Sequence, residues 1–244
     1  MFQPKVPVFD GHVSLGRKHQ QRVAAADREE VWAALAAAGT SRALVYDPHG
    51  VTFESFEGNR RLLEGIADDP RFVPQFVVNL AVDDVNAMAA AVRAAGVRSL
   101  RACPKTNLYP FTPWVVGPWA EWLVGEGIGL WLPMEEVDPR DVYDTLSAFP
   151  RLKAVLVGAH YSHHASLWPL LKALPHLYMD LSRYDVIRGV ERLVAHIGPE
   201  RLLYGSHYPE LAVGPYLYYL HHADLSEEAL RAICYDNLAG LLGM

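Results

Sequence analysis

The chain has 244 residues, of which 51% are hydrophobic and 20% charged, a composition that supports a sizeable core and argues against a disordered chain. The net charge is −6 and there is no basic cluster, so we expect no nucleic-acid partner. No apolar run reaches the ~20 residues of a membrane span, and the first residues do not resemble a signal peptide. Cys103 and Cys234 are far apart and indicate no disulfide framework. We therefore expect a cytoplasmic protein without a membrane partner.

Short apolar runs alternate with helical patterns eight times along the chain. The predicted strands cover residues 5–9, 42–46, 71–80, 97–102, 128–132, 152–157, 177–181 and 201–204. The predicted helices cover residues 20–38, 54–67, 83–95, 113–125, 139–149, 166–174, 185–197 and 226–242. This alternation predicts an α/β fold with a parallel sheet, closed as a single-domain (β/α)8 barrel over residues 1–244. The alternative is an open doubly wound sheet, but no glycine-rich phosphate loop follows the first strand.

Polar residues follow nearly every predicted strand. In a barrel, the carboxyl ends of the strands meet at one face, where ligands bind. The residues that this rule would gather there are His12, Asp47, His49, Asn79, Arg101, Lys105, Glu135, His160, Arg183 and His207. The segment 210–225 should cover one rim of that face, either as an aromatic packing layer or as part of the site.

Three of these residues, His12, His160 and His207, are candidate catalytic groups. Converging imidazoles can hold one divalent metal, zinc being the best match, with water in the open position. The same side chains can act without metal as general acids and bases. Each also has a structural interpretation, since His12 can bond loop backbone and His207 can be a surface histidine. His163 and His164 are interpreted as solvated loop histidines, and His49 as a structural residue of a turn. No role is given to the helical and loop histidines His19, His176, His196, His221 and His222.

The basic side chains at the strand ends are candidates for binding a substrate carboxylate. A planar guanidinium grips a carboxylate through two hydrogen bonds, which favours Arg101 and Arg183, with Lys105 and Asn79 as further substrate-binding candidates. The alternative is that the charged groups form ion pairs at the rim. Asp180, on the seventh predicted strand, is interpreted as a supporting or structural partner.

Several phrases in the sequence resemble the amidohydrolase superfamily, in the branch that contains metal-dependent hydrolases, lactonases and non-oxidative decarboxylases. The phrases are F-D-G-H-V-S at 9–14, F-P-R-L-K-A-V-L-V-G-A-H at 149–160, L-Y-M-D-L-S at 177–182, R-L-L-Y-G-S-H-Y-P at 201–209 and N-L-A-G-L-L-G at 237–243. They span nearly the whole chain in the family's order. The resemblance implies a (β/α)8 barrel, in agreement with the strand count, but does not specify a substrate.

The sequence departs from the family's metal-binding pattern at three positions. The second histidine of the usual H-x-H is replaced by Ser14, Pro133 lies near a strand-end position where the family has a histidine, and His207 replaces the aspartate of the eighth strand. Only His12 and His160 carry over directly.

Three hypotheses follow from these departures. The first is a rearranged single-metal site of His12, His160 and His207, with Glu135 as a further ligand. The second is a metal-independent enzyme in which a histidine activates water and Arg101 or Arg183 holds a carboxylate. The third is a barrel that binds a ligand or partner without chemistry.

The best prediction of function is hydrolysis of a small carboxylated or cyclic substrate, such as a lactone, ester or amide. Decarboxylation is the alternative reaction. The sequence leaves a homo-oligomer open, because Trp114, Trp119 and Trp122 mark either a subunit surface or the packing of the fourth helix.

Overall fold

In the computed structural model, which describes residues 2–19 and 21–244, parallel strands alternate with helices along the chain. The strands are β1 Phe9–Ser14, β2 Arg42–Tyr46, β3 Phe72–Pro74, β4 Phe76–Val77, β5 Ser99–Arg101, β6 Gly129–Pro133, β7 Ala154–Val157, β8 Leu177–Asp180 and β9 Leu202–Leu203. Every neighbouring pair is parallel, in the orders β1-β2-β3 and β4-β5-β6-β7-β8-β9.

Backbone hydrogen bonds join these two runs of strands into a closed barrel. On one side β3 and β4 form a single stave, interrupted at Gln75, whose N–H donates to Val45 O at 2.8 Å. On the other side Gly11 N donates to Tyr204 O at 3.0 Å and Ser14 N to Tyr208 O at 2.9 Å. The predicted (β/α)8 barrel is therefore confirmed.

The single strand predicted for residues 71–80 is shorter and interrupted. It pairs with β2 up to Pro74 and with β5 from Phe76 onward. Pro74 has no N–H to donate, so the ladder to one neighbour cannot continue unchanged through it. The side chain of Gln75, at the interruption, is thereby free to contact the interior of the barrel.

Helices surround the barrel. They are α1 Arg28–Ala37, α2 His49–Thr52, α3 Ser55–Ile66, α4 Val85–Ala95, α5 Pro113–Glu126, α6 Pro139–Ala148, α7 His164–Ala173, α8 Gly189–Ile197, α9 Val213–His222, α10 Glu227–Arg231 and α11 Asn237–Leu242. A π-helical turn, Ala232–Asp236, connects α10 to α11. No helix within the described ranges is long and apolar enough to cross a bilayer.

Several predicted helix starts differ from the structure, by four residues at α8, which begins at Gly189, and for a clear reason at two others. The first helix was predicted to begin at residue 20, which lies outside the described residues, whereas α1 begins at Arg28. Asp27 sets that start, because its carboxylate accepts the N–H of Glu30 at 2.9 Å. The third predicted helix corresponds to α4 and is capped by Asp84 rather than Asp83, whose carboxylate instead accepts the N–H of Asn79.

The barrel interior is apolar below its polar mouth. Phe9, Leu44, Trp131, Val155 and Leu203 form one buried cluster that also contacts α11. Larger clusters of aliphatic and aromatic side chains pack the helices onto the strands. The polar residues at the strand ends are thus supported by a rigid core. The segment after β9 does form a rim element, because α9 lies within the predicted residues 210–225.

Candidate active site

A cavity of about 320 Å³ opens at the carboxyl ends of the strands and is called the site cavity. Its polar lining comes from the carboxyl-terminal parts of the strands and from the loops that follow them. These lining residues include His12, Lys18, Tyr46, Arg101, Cys103, Glu135, Arg183 and His207. The volume lies in the range of about 300–1,000 Å³ that small-molecule sites occupy.

His12 and Asp180 form a buried hydrogen-bonded pair in the wall of this cavity. His12 Nδ1 lies 2.8 Å from Asp180 Oδ2, and the two side chains are nearly inaccessible to solvent. The other carboxylate oxygen, Oδ1, accepts the N–H of Gly158 at 2.8 Å and the hydroxyl of Ser182 at 3.0 Å. Asp180 is thus fixed from three directions, and it fixes the ring of His12 in turn.

The electrostatics of the pair leave His12 neutral. Burial, followed by the positive charges of Arg101, Lys18 and Arg183, holds the pKa of His12 well below its usual range. Burial also raises the pKa of Asp180, but the donated hydrogen bonds favour its carboxylate form. A carboxylate at Nδ1 places the proton on that nitrogen, so Nε2 keeps its lone pair. This is the arrangement of an oriented general base.

His207 stacks on His12. The ring centroids are 4.2 Å apart with an interplanar angle of 24°. The backbone of His207 has φ of 58°, in the left-handed region that costs an L-residue of order 1–3 kcal/mol. Its buried Nδ1 has no hydrogen-bond partner within residues 2–19 and 21–244. A strained, buried ring with an unpartnered nitrogen is a candidate to bind a ligand or an ordered water.

Arg101 lies buried in the wall of the site cavity, with 2% of its surface exposed. Its guanidinium carbon lies 4.1 Å from the centroid of the Tyr46 ring, and Nε donates to Gln75 Oε1 at 2.8 Å. Nη2 is buried without an acceptor in the part of the chain that the structure describes, and no described carboxylate pairs with this guanidinium. A buried unpaired cation is costly, so the geometry favours an anionic ligand beside it.

The other charges at the cavity have partners. Lys18, on the loop after β1, forms an ion pair with Glu210, after β9. Arg183 Nη1 lies 3.7 Å from Glu135 Oε2 at the more exposed rim. Arg101 is therefore the better placed of the two predicted carboxylate-binding arginines, and Arg183 is a second cation at the entrance.

The structure brings together four of the seven site residues predicted from sequence. His12, His207, Arg101 and Arg183 all line the site cavity. The remaining three, His160, Lys105 and Asn79, do not.

Each of the three excluded residues has a local reason. His160 turns away after Gly158, and its Nδ1 lies 3.2 Å from Ser162 Oγ. Asn79 Oδ1 accepts the N–H of Ala81 and so shapes its own loop. Lys105 is exposed.

The predicted metal-ligand set of His12, His160 and His207 is not assembled. His160 lines a different cavity, separated from the other two by Arg183. Within residues 2–19 and 21–244, no three or more His, Cys, Asp or Glu side chains are grouped so that they could hold a metal. Ser14 occupies the place of the second histidine, and a serine hydroxyl is not one of the usual nitrogen, sulfur or carboxylate ligands of such a site. The side chains at this cavity therefore do not match the metal-ligand pattern of the family that the sequence resembles.

Sequence reasoning underestimated Asp180 and missed Tyr46 and Gln75. Asp180 is the last residue of the buried strand β8, and an acidic residue at that position is a signal that could have marked it as functional. Tyr46 likewise ends β2, where a bulky polar ring faces the mouth of the barrel. Gln75 had no such signal, because its position depends on the interruption of the third stave.

Substituting Gly205 by alanine is expected to damage the His12–Asp180 pair. A Cβ at this position would lie 2.7 Å from Asp180 Oδ2 and 2.8 Å from the Cβ of His12. We expect the free energy of unfolding to fall by about 1–3 kcal/mol, as in overpacked cores, with a parallel loss of activity. Urea denaturation measures the first effect. Gly240→Ala in α11, where a Cβ meets nothing within 4 Å, is the matched control and should not destabilise the protein.

The buried histidines should make folding stability depend on pH. Burial is the main cause that lowers the pKa of His207 to about 2, against 6.5 for the free side chain, and the neighbouring His12 is the second cause. Below pH 6.5 the unfolded chain gains a proton that the folded chain refuses, so stability falls as pH falls. Each such group contributes about 1.4 kcal/mol per pH unit in that window. Asp10 has the opposite effect, because burial raises its pKa to about 7. The contribution of its protonated form to folding stability is therefore lost as pH rises.

A comparison of wild type with His207→Gln isolates the histidine. Asp10 is present in both proteins, as are the other charged groups that face His207, namely His12, Asp180, Lys18 and Arg101. Their contributions cancel in the difference in unfolding free energy. As pH rises from 4 to 6, we expect the free energy of unfolding of wild type to increase relative to that of the variant by about 1.4 kcal/mol per pH unit. Urea denaturation at each pH measures this difference. A difference independent of pH would contradict the burial of a neutral ring.

Solved structures with the same fold include two decarboxylases. A dihydroxybenzoic acid decarboxylase from Polaromonas sp. JS666, with bound manganese and 2-nitroresorcinol, matches with a TM-score of 0.82 at 11% identity, over 98% of this chain and 97% of that chain. The 2,6-dihydroxybenzoate decarboxylase from Rhizobium matches with a TM-score of 0.79 at 12% identity, over 98% and 99%. An uncharacterized TIM-barrel protein from Bordetella bronchiseptica matches with a TM-score of 0.77 at 15% identity, over 98% and 99%. At these identities the likeness shows the fold alone.

Sequence comparison assigns the family. A search of curated proteins found no match. The model of the amidohydrolase family matches residues 10–244, which is nearly the whole chain. The matched region includes His12, Asp180 and His207 at the mouth of the barrel. This chain therefore belongs to the amidohydrolase family.

Proposed function

We propose that this chain hydrolyses a small carboxylated ester or lactone without a metal ion. The observation that supports this proposal best is one cavity that contains both an oriented neutral histidine, His12 on Asp180, and a buried unpaired guanidinium, Arg101. The first is a base for water and the second is a partner for a carboxylate. The substrate class follows from the two together.

In the proposed reaction, His12 Nε2 takes a proton from water as the oxygen bonds to the carbonyl carbon of the substrate. The tetrahedral intermediate then collapses, the carbon–oxygen bond to the leaving group breaks, and His12 returns the proton to the leaving oxygen. Asp180 keeps the ring in the tautomer that this requires and stabilises the imidazolium between the two steps. Arg101 orients the substrate through its carboxylate.

Cys103 is a further potential nucleophile at the cavity, and its environment argues against that role. Burial raises the pKa of this thiol to about 12, so it is protonated at neutral pH. The thiolate is the nucleophilic form of cysteine. Water activated by His12 therefore remains the better candidate for attack.

The decisive test is hydrolysis with and without metal. Protein treated with EDTA should hydrolyse mono(4-nitrophenyl) succinate or coumarin-3-carboxylate as fast as untreated protein, and added manganese or zinc should not raise kcat. Activity that disappears with EDTA and returns with manganese would overturn the metal-independent proposal. The neutral ester 4-nitrophenyl acetate is the matched control, and it should react with a lower kcat/KM because it cannot bind Arg101.

Non-oxidative decarboxylation is the second candidate function. It is favoured by the fold shared with the dihydroxybenzoate decarboxylases and by a buried cationic site that suits a benzoate. Release of carbon dioxide from 2,6-dihydroxybenzoate, measured by a coupled bicarbonate assay, would support it. If no probe is hydrolysed or decarboxylated and benzoate nevertheless binds tightly, the result would instead support a barrel that binds a ligand without chemistry.

A further inference from the structure

A second cavity of about 460 Å³ lies next to the site cavity, with Arg183 in the wall of both. In the loops after β7 and β9, residues that are adjacent or nearly adjacent in sequence line different cavities. Gly158 lines the site cavity and His160 the second cavity, while His207 lines the first and Ser206 the second. The second cavity is therefore the adjoining space on the far side of the Arg183 side chain.

The wall of the second cavity that α9 and the residues before it form consists largely of apolar groups. It is formed by Leu211, Ala212, Pro215, Tyr216 and Tyr219. The rings of Tyr216 and Tyr219 lie 5.5 Å apart at 60°. Such walls of aromatic and aliphatic side chains bind apolar rings.

The hydroxyls of these two tyrosines are engaged elsewhere. Tyr216 donates its O–H to the carbonyl of Tyr184 at 3.0 Å, and the Tyr219 hydroxyl lies 3.5 Å from Glu191 Oε2. The rings are thereby held in place, and carbon rather than oxygen is available to an occupant. This arrangement favours an aromatic ring over a polar group.

The partition between the cavities is the side chain of Arg183, which is about a third exposed and faces Glu135 at 3.7 Å. An exposed ion pair of this kind contributes about 0–1 kcal/mol, so the side chain can be displaced at little cost. A ligand held at Arg101 can then extend past it toward α9.

We propose that the second cavity is a subsite for an aromatic ring of the same substrate whose carboxylate binds at Arg101. This inference rests on the proposed function and makes it more specific. It predicts a substrate class with an anionic group at one end and an apolar ring at the other, rather than a single small ring.

Calorimetric titration of the wild-type protein with two carboxylates tests the subsite. Benzoate reaches the site cavity only, whereas 4-phenylbenzoate adds a ring for the second cavity. Burial of that ring should make 4-phenylbenzoate bind about tenfold or more tightly than benzoate. Equal affinity for the two probes would overturn the subsite while leaving the proposed hydrolysis intact.

Variants at and just before α9 test whether the tighter binding of 4-phenylbenzoate arises in the second cavity. Ala212→Phe should fill the space and weaken 4-phenylbenzoate by about tenfold, with benzoate unchanged. Tyr219→Ala should reduce the same gain by removing one wall. Tyr218→Ala is the matched control, because Tyr218 is exposed, stacks on His222 and lines neither cavity.

The remaining outcomes separate the two proposals. If Ala212→Phe weakens both carboxylates equally while its melting temperature matches wild type, the extra ring does not occupy the second cavity and the subsite is overturned. If neither carboxylate binds wild type, the anionic site at Arg101 fails, and the subsite fails with it. Hydrolysis of the neutral ester, measured in parallel, shows whether the His12–Asp180 pair is active in that case.

Discussion

Substitution of Asp180 by asparagine is expected to lower kcat about 10³–10⁴-fold with little change in KM. The asparagine oxygen must accept the N–H of Gly158, which now bonds Asp180 Oδ1 at 2.8 Å. Its amide nitrogen then faces His12 Nδ1 and donates to it, so the ring proton moves to Nε2. A ring protonated at Nε2 cannot accept a proton from water. Steady-state hydrolysis of mono(4-nitrophenyl) succinate measures the loss.

Asp10→Asn is the matched control, since Asp10 is a second buried carboxylate beside the same histidine. Its Oδ1 accepts the backbone N–H groups of Ser206 at 2.8 Å and His12 at 3.1 Å. An amide oxygen accepts both equally well, so we expect kcat to stay within about threefold of wild type. If the two variants lose activity to the same extent, burial of charge rather than the tautomer of His12 explains the effect.

The fold could be predicted because the signals for it are local. Eight apolar runs separated by helical patterns favour parallel strands with helical crossovers, and chain length limits the ways to arrange them. The errors lie where tertiary contacts override a local pattern. The mostly apolar residues 71–80 predict one strand, yet its pairing changes partner after Pro74, and Gln75 contacts Arg101 at the interruption. The alanine-rich stretch before residue 27 favours an early helix start on local propensity, whereas the side-chain cap at Asp27 starts α1 at Arg28.

The candidate site was only half predictable from sequence, for a geometric reason. The rule that strand ends converge correctly gathers His12, Arg101 and His207 around one cavity. It does not say which way a side chain turns after the strand has ended. His160 is two residues beyond Gly158, whose φ of 68° redirects the chain, and it therefore lines the neighbouring cavity. The partner of His12 was equally hidden, because Asp180 is 168 residues away in sequence.

Replacing Arg101 by methionine is expected to weaken benzoate binding and to leave the protein as stable as before or more stable. Removing the buried partner of a carboxylate costs about 2–4 kcal/mol, which corresponds to roughly a 30- to 1,000-fold rise in Kd. In the free protein the guanidinium is 2% exposed and Nη2 has no described acceptor, so its burial is a cost without full compensation. An apolar side chain of similar length removes that cost, and we expect the free energy of unfolding to rise by about 0–3 kcal/mol.

Calorimetry with benzoate and urea denaturation measure these two effects on the same samples. Arg101→Lys keeps the charge but loses the guanidinium fork and the Nε–H that bonds Gln75, and it should give intermediate affinity. Arg71→Met is the matched control, because Arg71 also lies over an aromatic ring, that of Trp32, but is already paired with Asp69. It should lose up to about 1 kcal/mol of stability and leave benzoate binding unchanged. If Arg101→Met is instead strongly destabilised and still binds benzoate, the arginine supports the fold, and the carboxylate-binding role passes to Arg183.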